Sequence, residues 1–481
     1  MLTVLLILVP LLSGLVTFGL KGSAVRVWSF ISSLITLAIA LMAGCAFRQN
    51  PDMLQTDYPW IMQLGAHFQT GLDGMGLMLC LLTAIAYVVV FLSAWKRDYP
   101  RPQNFYGLML LMQAGLMGVF SAYDAFLFYV CWELVLIPAY FLCSIWGGEK
   151  RIAVTFKFFV YTFLGSLLML IGIIYLYFKT AGNHSFSWMA FTHLSLSSTE
   201  QSWLFWLFFV AFAIKMPVFP FHTWQPDTYE QSPTPVTMIL SGVMVKMGLF
   251  GVIRWVLPVM PQGAAVWSNF VMILCIIGIV YASCLAIVQT DLKKLFAYSS
   301  IAHMGLMCAT LFSGSDVGMQ GVLIQMFNHG IIIIGLWVVV DLLEQKLQTK
   351  TIADLGGIAL KAPGLSIAFV IICLGNVALP LTSGFVGEFM MFSGLYQYNA
   401  WMMAFAGLGV ILGAVYILNM LQKVIFGNEN NLTEKIKDLR VHEWLALAVV
   451  IILILSIGIY PKPVLELVNH TTQSIMGIAF K

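Results

Sequence analysis

Six ionisable side chains stand in apolar surroundings that have no packing need of them. They are Glu133 in "FYVCWELVLIPAYF", Lys215 in "AFAIKMPVFPF", Lys246 in "GVMVKMGLFG", His303 in "AYSSIAHMG", His329 in "VLIQMFNHG" and Glu388 in "SGFVGEFMMF". A charge at the centre of a membrane helix costs about 2.5–3.5 kcal/mol, so four charges facing lipid would cost on the order of 10 kcal/mol. They must face protein or water, and function is the default explanation. Neutral imidazole accepts on one nitrogen and donates on the other. A set alternating lysine, histidine and glutamate therefore suits proton movement. The carboxylates are too dispersed in sequence for a typical metal site. Plainer readings exist: a lysine can snorkel to the interface, a glutamate can form a structural ion pair, and a histidine can simply pack. Both lysines lie well inside their apolar segments, which argues against snorkelling.

Two of the six sit beside signs of broken helix. Pro217 and Pro220 follow Lys215, and Pro380, Ser383 and Gly384 precede Glu388. Proline removes a backbone hydrogen bond, which a membrane tolerates only where protein or trapped water satisfies the freed carbonyls. Interrupted helices in corresponding halves of a transporter point to an ion pathway.

The elements that must position these groups are membrane helices. The chain has 481 residues, of which 60% are hydrophobic and 9% charged, with a mean hydropathy of +0.92. Segments of about 20 apolar residues span a bilayer core. Fourteen are expected, at 1–20, 25–46, 73–95, 104–121, 124–147, 153–178, 203–222, 233–257, 264–288, 295–312, 318–342, 364–395, 398–422 and 444–461. The expected fold is an all-α polytopic membrane protein with broken seventh and twelfth helices. These lie five helices apart, an odd offset that reverses orientation and predicts two inverted five-helix repeats. The segments would be 1–103 as an N-terminal three-helix unit, 104–257 and 264–422 as the repeats, and 423–481 as a loop with the last transmembrane helix. Lys21 and Arg26 follow the first apolar segment rather than preceding it, the wrong polarity for a cleaved signal. With the N-terminus outside, seventeen of the 24 lysines and arginines fall in or beside inner loops and five outside, as the positive-inside rule expects. Both termini are thus expected on the outer side, and the net charge of +3 reports topology rather than a nucleic-acid partner. The eight cysteines form no CxxC pair, and clustered thiolates are what an iron–sulfur or zinc site requires. No cofactor, metal or nucleotide site is expected in the chain.

The stretches around these residues, together with "KFFVYTFLGSLLML", "PFHTWQPDTYEQSPTP" and "LKKLFAYSSIAHMG", resemble the antiporter-like membrane subunits of respiratory complex I. The resemblance runs from about residue 70 to 425. The "WELVLIPAYFL" form and a glutamate rather than lysine at 388 resemble the M type more than its L and N relatives. The resemblance implies a proton-translocating subunit of NADH-quinone oxidoreductase in the bacterial inner membrane, with L-type and N-type neighbours. NADH, FMN, Fe–S clusters and quinone would lie in partner subunits. It also implies roles by position. Glu133 would pair with Lys215, Lys246 would be the central relay lysine, and His303 and His329 would link it to Glu388 near the exit. A Mrp-type sodium/proton antiporter subunit and a related hydrogenase subunit share these motifs and stand as alternatives.

Overall fold

The computed structural model describes residues 1–50, 54–182 and 184–480. Helices occupy every predicted apolar interval, and among the described residues ten helices are long and apolar enough to cross a membrane. Many start where a short polar residue can hold the first free backbone N–H groups. Asp73 accepts from Gly76 N, Asp124 from Leu127 N, Asp291 from Lys293 N and Lys294 N, and Asn399 from Trp401 N and Met402 N.

The two predicted breaks are present. One helix runs Ser198–Lys215 and resumes at Gln225–Gln231, so the interruption spans Pro217 and Pro220 and the first half ends short of the expected span end at residue 222. The freed carbonyl of Ile214 accepts from Trp224 Nε1 at 2.9 Å. The other helix runs Pro363–Asn376 and resumes at Ser383–Tyr398. There the freed carbonyls of Cys373, Leu374 and Gly375 accept from Val377 N, Leu379 N and Ala378 N, and Asn328 Nδ2 of a neighbouring helix donates to Ser383 O at 2.7 Å.

The loops sort onto two faces. On the basic face Trp146 Nε1 donates to Pro100 O, Gly148 N to Gln231 O and Leu292 N to Lys350 O. On the opposite face Gly71 N donates to Ser121 O and Trp188 Nε1 to Arg254 O. Helices Thr234–Val259 and Asp316–Leu347 form the buried centre, and helices Ser23–Gln49 and Ala400–Val424 lie at the periphery with only about a quarter of their residues buried.

Two elements on the face opposite the basic one go beyond the sequence expectation. An antiparallel hairpin pairs Thr56–Ile61 with Ala66–Thr70. A further amphipathic helix, Lys462–Ala479, follows the last predicted span and buries Val468, Thr471, Thr472, Ile475 and Ala479. Thr471 Oγ1 accepts from Gly74 N at 2.9 Å, which docks this helix on the start of helix Gly74–Ser93.

Candidate functional site

Lys246 lies at the centre of the molecule with no solvent exposure. Its helix is not regular: residues Leu240–Met244 and Val252–Val256 form wide π-helical turns on either side. Val245 N–H reaches back five residues to Leu240 O, and Ser241 O accepts from Lys246 Nζ at 2.9 Å. The same ammonium stands 2.8 Å from His329 Nδ1. Gly248 sets the depth of this packing, because a Cβ there would fall 2.6 Å from Phe212 O on the Lys215 helix.

The path continues on the other side. The rings of His329 and His303 lie 5.3 Å apart between centroids, and His303 Nδ1 is 3.1 Å from Glu388 Oε1. Gly387 lets the Glu388 helix seat on the His329 helix, since a Cβ there would meet Gln325 Oε1 at 2.3 Å. A small cavity of about 30 Å³ borders His303, Asn376, Glu388 and Tyr416, room for a water molecule. Tyr416 OH donates to Ser299 Oγ at 3.0 Å, and Ser299 Oγ to Asn376 Oδ1 at 3.3 Å. Four of the six predicted residues therefore line up as one run, Lys246–His329–His303–Glu388, contributed by four different helices; its two ends are in contact, while its middle step is the gap between the two rings, where His329 Nε2 has no hydrogen-bond partner in the protein.

Lys215 and Glu133 stand apart from that run. Lys215 is fully buried, yet its Nζ has no hydrogen-bond partner in the protein. It sits 5.3 Å above the ring of Trp132, a cation–π distance. Glu133, the next residue, is half-buried, and its Oε1 is likewise without a partner. Among the described ion pairs no Glu133–Lys215 contact occurs within 4 Å. His222 is buried against the rings of Phe219 and Tyr281.

The family described as NADH:quinone oxidoreductase/Mrp antiporter matches residues 122–414, which include all six candidate residues. NADH-quinone oxidoreductase subunit M of Rickettsia prowazekii is 35% identical over 98% of both chains. That of Escherichia coli K12 is 33% identical over 98% of this chain and 96% of its own. The chain is a member of the NADH-quinone oxidoreductase subunit M family. A chain of respiratory complex I from Thermus thermophilus superposes with a TM-score of 0.92 at 29% identity, both chains being covered in full. A chain of an archaeal membrane-bound sulfane sulfur reductase has the same fold, with a TM-score of 0.90 at 22% identity.

Within this member of the family, sequence reasoning counted four charged groups inside the spans and passed over others. Asp341, inside the predicted span 318–342, is fully buried and pairs with Arg97. Arg254 is buried, pairs with Asp73 at 2.6 Å, and lies over the rings of Tyr123, Trp188 and Phe250. Glu344 and Lys293 form a further pair at 2.9 Å. Asp341 could have been found by the same rule that found Glu133. Glu344 and Lys293 lie just beyond predicted span ends, where charge is ordinary. Among the described residues no three His, Cys, Asp or Glu side chains gather as a metal site.

Proposed function

We propose that the run Lys246–His329–His303–Glu388 conducts protons across this proton-translocating, antiporter-like subunit of NADH-quinone oxidoreductase. The observation that carries the reading is the alignment of two close contacts, 2.8 Å from Lys246 to His329 and 3.1 Å from His303 to Glu388, across two rings 5.3 Å apart between centroids. Each imidazole can take a proton on one nitrogen and release one from the other, so the two rings hand a proton between Lys246 and Glu388. Lys215, held over Trp132 and facing Glu133 electrostatically, acts as the gate. A counter-charge nearby favours the protonated lysine, and its withdrawal favours release.

Moving one charge against 100 mV costs about 2.3 kcal/mol. The energy comes from electron transfer between NADH and quinone, whose cofactors lie in partner subunits. Those partners are the other membrane-arm subunits, with L-type and N-type chains as neighbours. The basic face is cytoplasmic, both termini are periplasmic, and the two interrupted helices belong to inverted five-helix repeats in a bacterial inner membrane. The basic loops support that orientation. The test is Glu388→Gln in the complex reconstituted into liposomes. The number of protons translocated per NADH should fall while ferricyanide reduction by NADH is unchanged. A wild-type ratio would remove Glu388 from the path.

A further inference from the structure

Helix Ala400–Val424 lies at the periphery, yet one of its polar side chains turns inward. Tyr416 is buried, although most residues of that helix are not. Gly409 allows the approach, because a Cβ there would run into Ile279. The Tyr416 hydroxyl donates to Ser299 Oγ at 3.0 Å, and Ser299 Oγ donates to Asn376 Oδ1 at 3.3 Å. One directed chain of hydrogen bonds therefore joins three helices. It ends at Asn376, where the first half of the broken helix Pro363–Asn376 stops. Because Asn376 Oδ1 is the acceptor of this chain, its amide nitrogen remains as a donor.

The chain borders the small cavity at the end of the relay. That cavity has a volume of about 30 Å³, which is room for a single water molecule. Most of its wall is apolar, and among the described residues its polar lining consists of His303, Asn376, Glu388 and Tyr416. A buried water needs about two to four polar partners, and these four side chains supply them. Glu388 Oε1 already stands 3.1 Å from His303 Nδ1. The Asn376 amide can donate to a water in the cavity, and the Tyr416 oxygen can accept from it. The water's second hydrogen is then free for the Glu388 carboxylate. Without such a donor, a carboxylate facing an apolar wall is costly.

We propose that Tyr416 is a positioning residue for proton release by Glu388: through Ser299 it fixes the Asn376 amide, and with Asn376 it holds one water against the carboxylate. One proton leaves the Glu388 oxygen for that water. The carboxylate left behind keeps the hydrogen bonds of His303 and the water, while Asn376, Ser299 and Tyr416 retain their own protons. Tyr416 lies just beyond the family-matched stretch 122–414. A purely mechanical role, pinning helix Ala400–Val424 to its neighbours, would use the same hydrogen bonds without touching the carboxylate. The inference rests on the reading of Glu388 as a relay residue.

The test compares Glu388→Gln, Tyr416→Phe and Asn376→Leu in the reconstituted complex. Protons translocated per NADH are measured with ferricyanide reduction as the control for an intact redox arm. Infrared difference spectra follow the C=O stretch of the protonated Glu388 carboxyl, identified as the band that Glu388→Gln abolishes. Tyr416→Phe keeps the ring and removes only the hydroxyl, so it carries the test even if Asn376→Leu assembles poorly at the helix break. Tyr416→Phe should lower the ratio and move the band to higher frequency, as the carboxyl loses the hydrogen bond of the held water. Asn376→Leu should lower the ratio as far as Glu388→Gln does. With Glu388→Gln lowered, a wild-type ratio or an unmoved band in Tyr416→Phe overturns the positioning role and leaves the relay standing. A wild-type ratio in Glu388→Gln overturns the relay itself.

Discussion

Replacing Lys246 by methionine or arginine tests the relay at its centre. The ammonium is wholly buried, donates to Ser241 O at 2.9 Å and lies 2.8 Å from His329 Nδ1. Methionine is of similar length and needs no partner. It leaves His329 Nδ1 and Ser241 O unpaired, at about 1–3 kcal/mol each. It also removes a buried cation whose desolvation costs several kcal/mol. These effects oppose each other at similar size, so the complex should assemble. Proton transfer is a different matter. His329 loses the group hydrogen-bonded to it, and the next ring, His303, lies on its far side at 5.3 Å between centroids. A positioned proton donor or acceptor is worth about 10²–10⁴ in rate, or roughly 3–5 kcal/mol of barrier. Transfer past this position should therefore slow at least about 100-fold. Arginine keeps the charge and the donors but does not give up its proton, so Lys246→Arg should stall as Lys246→Met does. The assay is NADH-driven acidification of proteoliposomes containing the complex, read together with quinone reduction. If Lys246→Arg acidified the lumen at the wild-type rate and ratio, proton release at residue 246 would not belong to the mechanism.

Glu133→Gln should impair pumping with little loss of assembly, because no direct ion pair to Lys215 is broken, and Glu133→Asp should be intermediate; neutralising both Glu133 and Lys215 should leave pumping absent, and wild-type pumping by that double variant would mark the two as structural. Asp73→Asn keeps the cap on Gly76 N but strands the buried Arg254 guanidinium, a loss of about 3 kcal/mol. Thermal inactivation of the assembled complex should shift to lower temperature and recover when Arg254→Met is added, whereas an unshifted midpoint would show the pair to be dispensable. Asp438, in the loop before the last long helix, accepts from Gly364 N, Leu365 N and Leu439 N. Partial burial disfavours its charge, but these backbone N–H groups outweigh burial and hold the carboxyl below its ordinary range. The stabilisation is present above the unfolded carboxyl pKa and is lost as pH falls through the lower folded value. Asp438→Ala should cost about 2 kcal/mol at neutral pH and nothing below that window, a difference measurable by limited proteolysis of the loop across pH. Asn431, exposed in the same basic loop, should, as Asn431→Cys, react with an impermeant maleimide in inside-out vesicles; labelling from the periplasmic side of intact cells would invert the topology.

Hydropathy and charge determined much of this protein without coordinates. A bilayer forces apolar runs into helices and makes intramembrane charge rare, so the intervals, the two breaks and the six candidate residues were all legible along the chain. Asp341 was legible by the same rule and went unused. The amphipathic spacing of Val468, Thr471, Thr472, Ile475 and Ala479 was legible as well, but a short moderately apolar helix gives no signal in a span search. Tertiary structure alone decided the rest, because contacts between helices are not encoded in the hydropathy of either partner. Helices Asp316–Leu347 and Ala400–Val424 are similarly apolar, yet the first is wholly buried and the second lies largely at the surface. No pattern in the sequence says that Lys246 reaches His329 rather than Lys215, or that Lys215 rests on Trp132 instead of contacting Glu133. Those pairings follow from where Gly248 and Gly387 let backbones approach, and from the π-helical turn that aims the Lys246 ammonium at Ser241 O. Glu344 and Lys293 read as ordinary charges at helix ends until folding closes them over the first turn of the Lys246 helix, where the Thr234 hydroxyl donates to the Glu344 carboxylate.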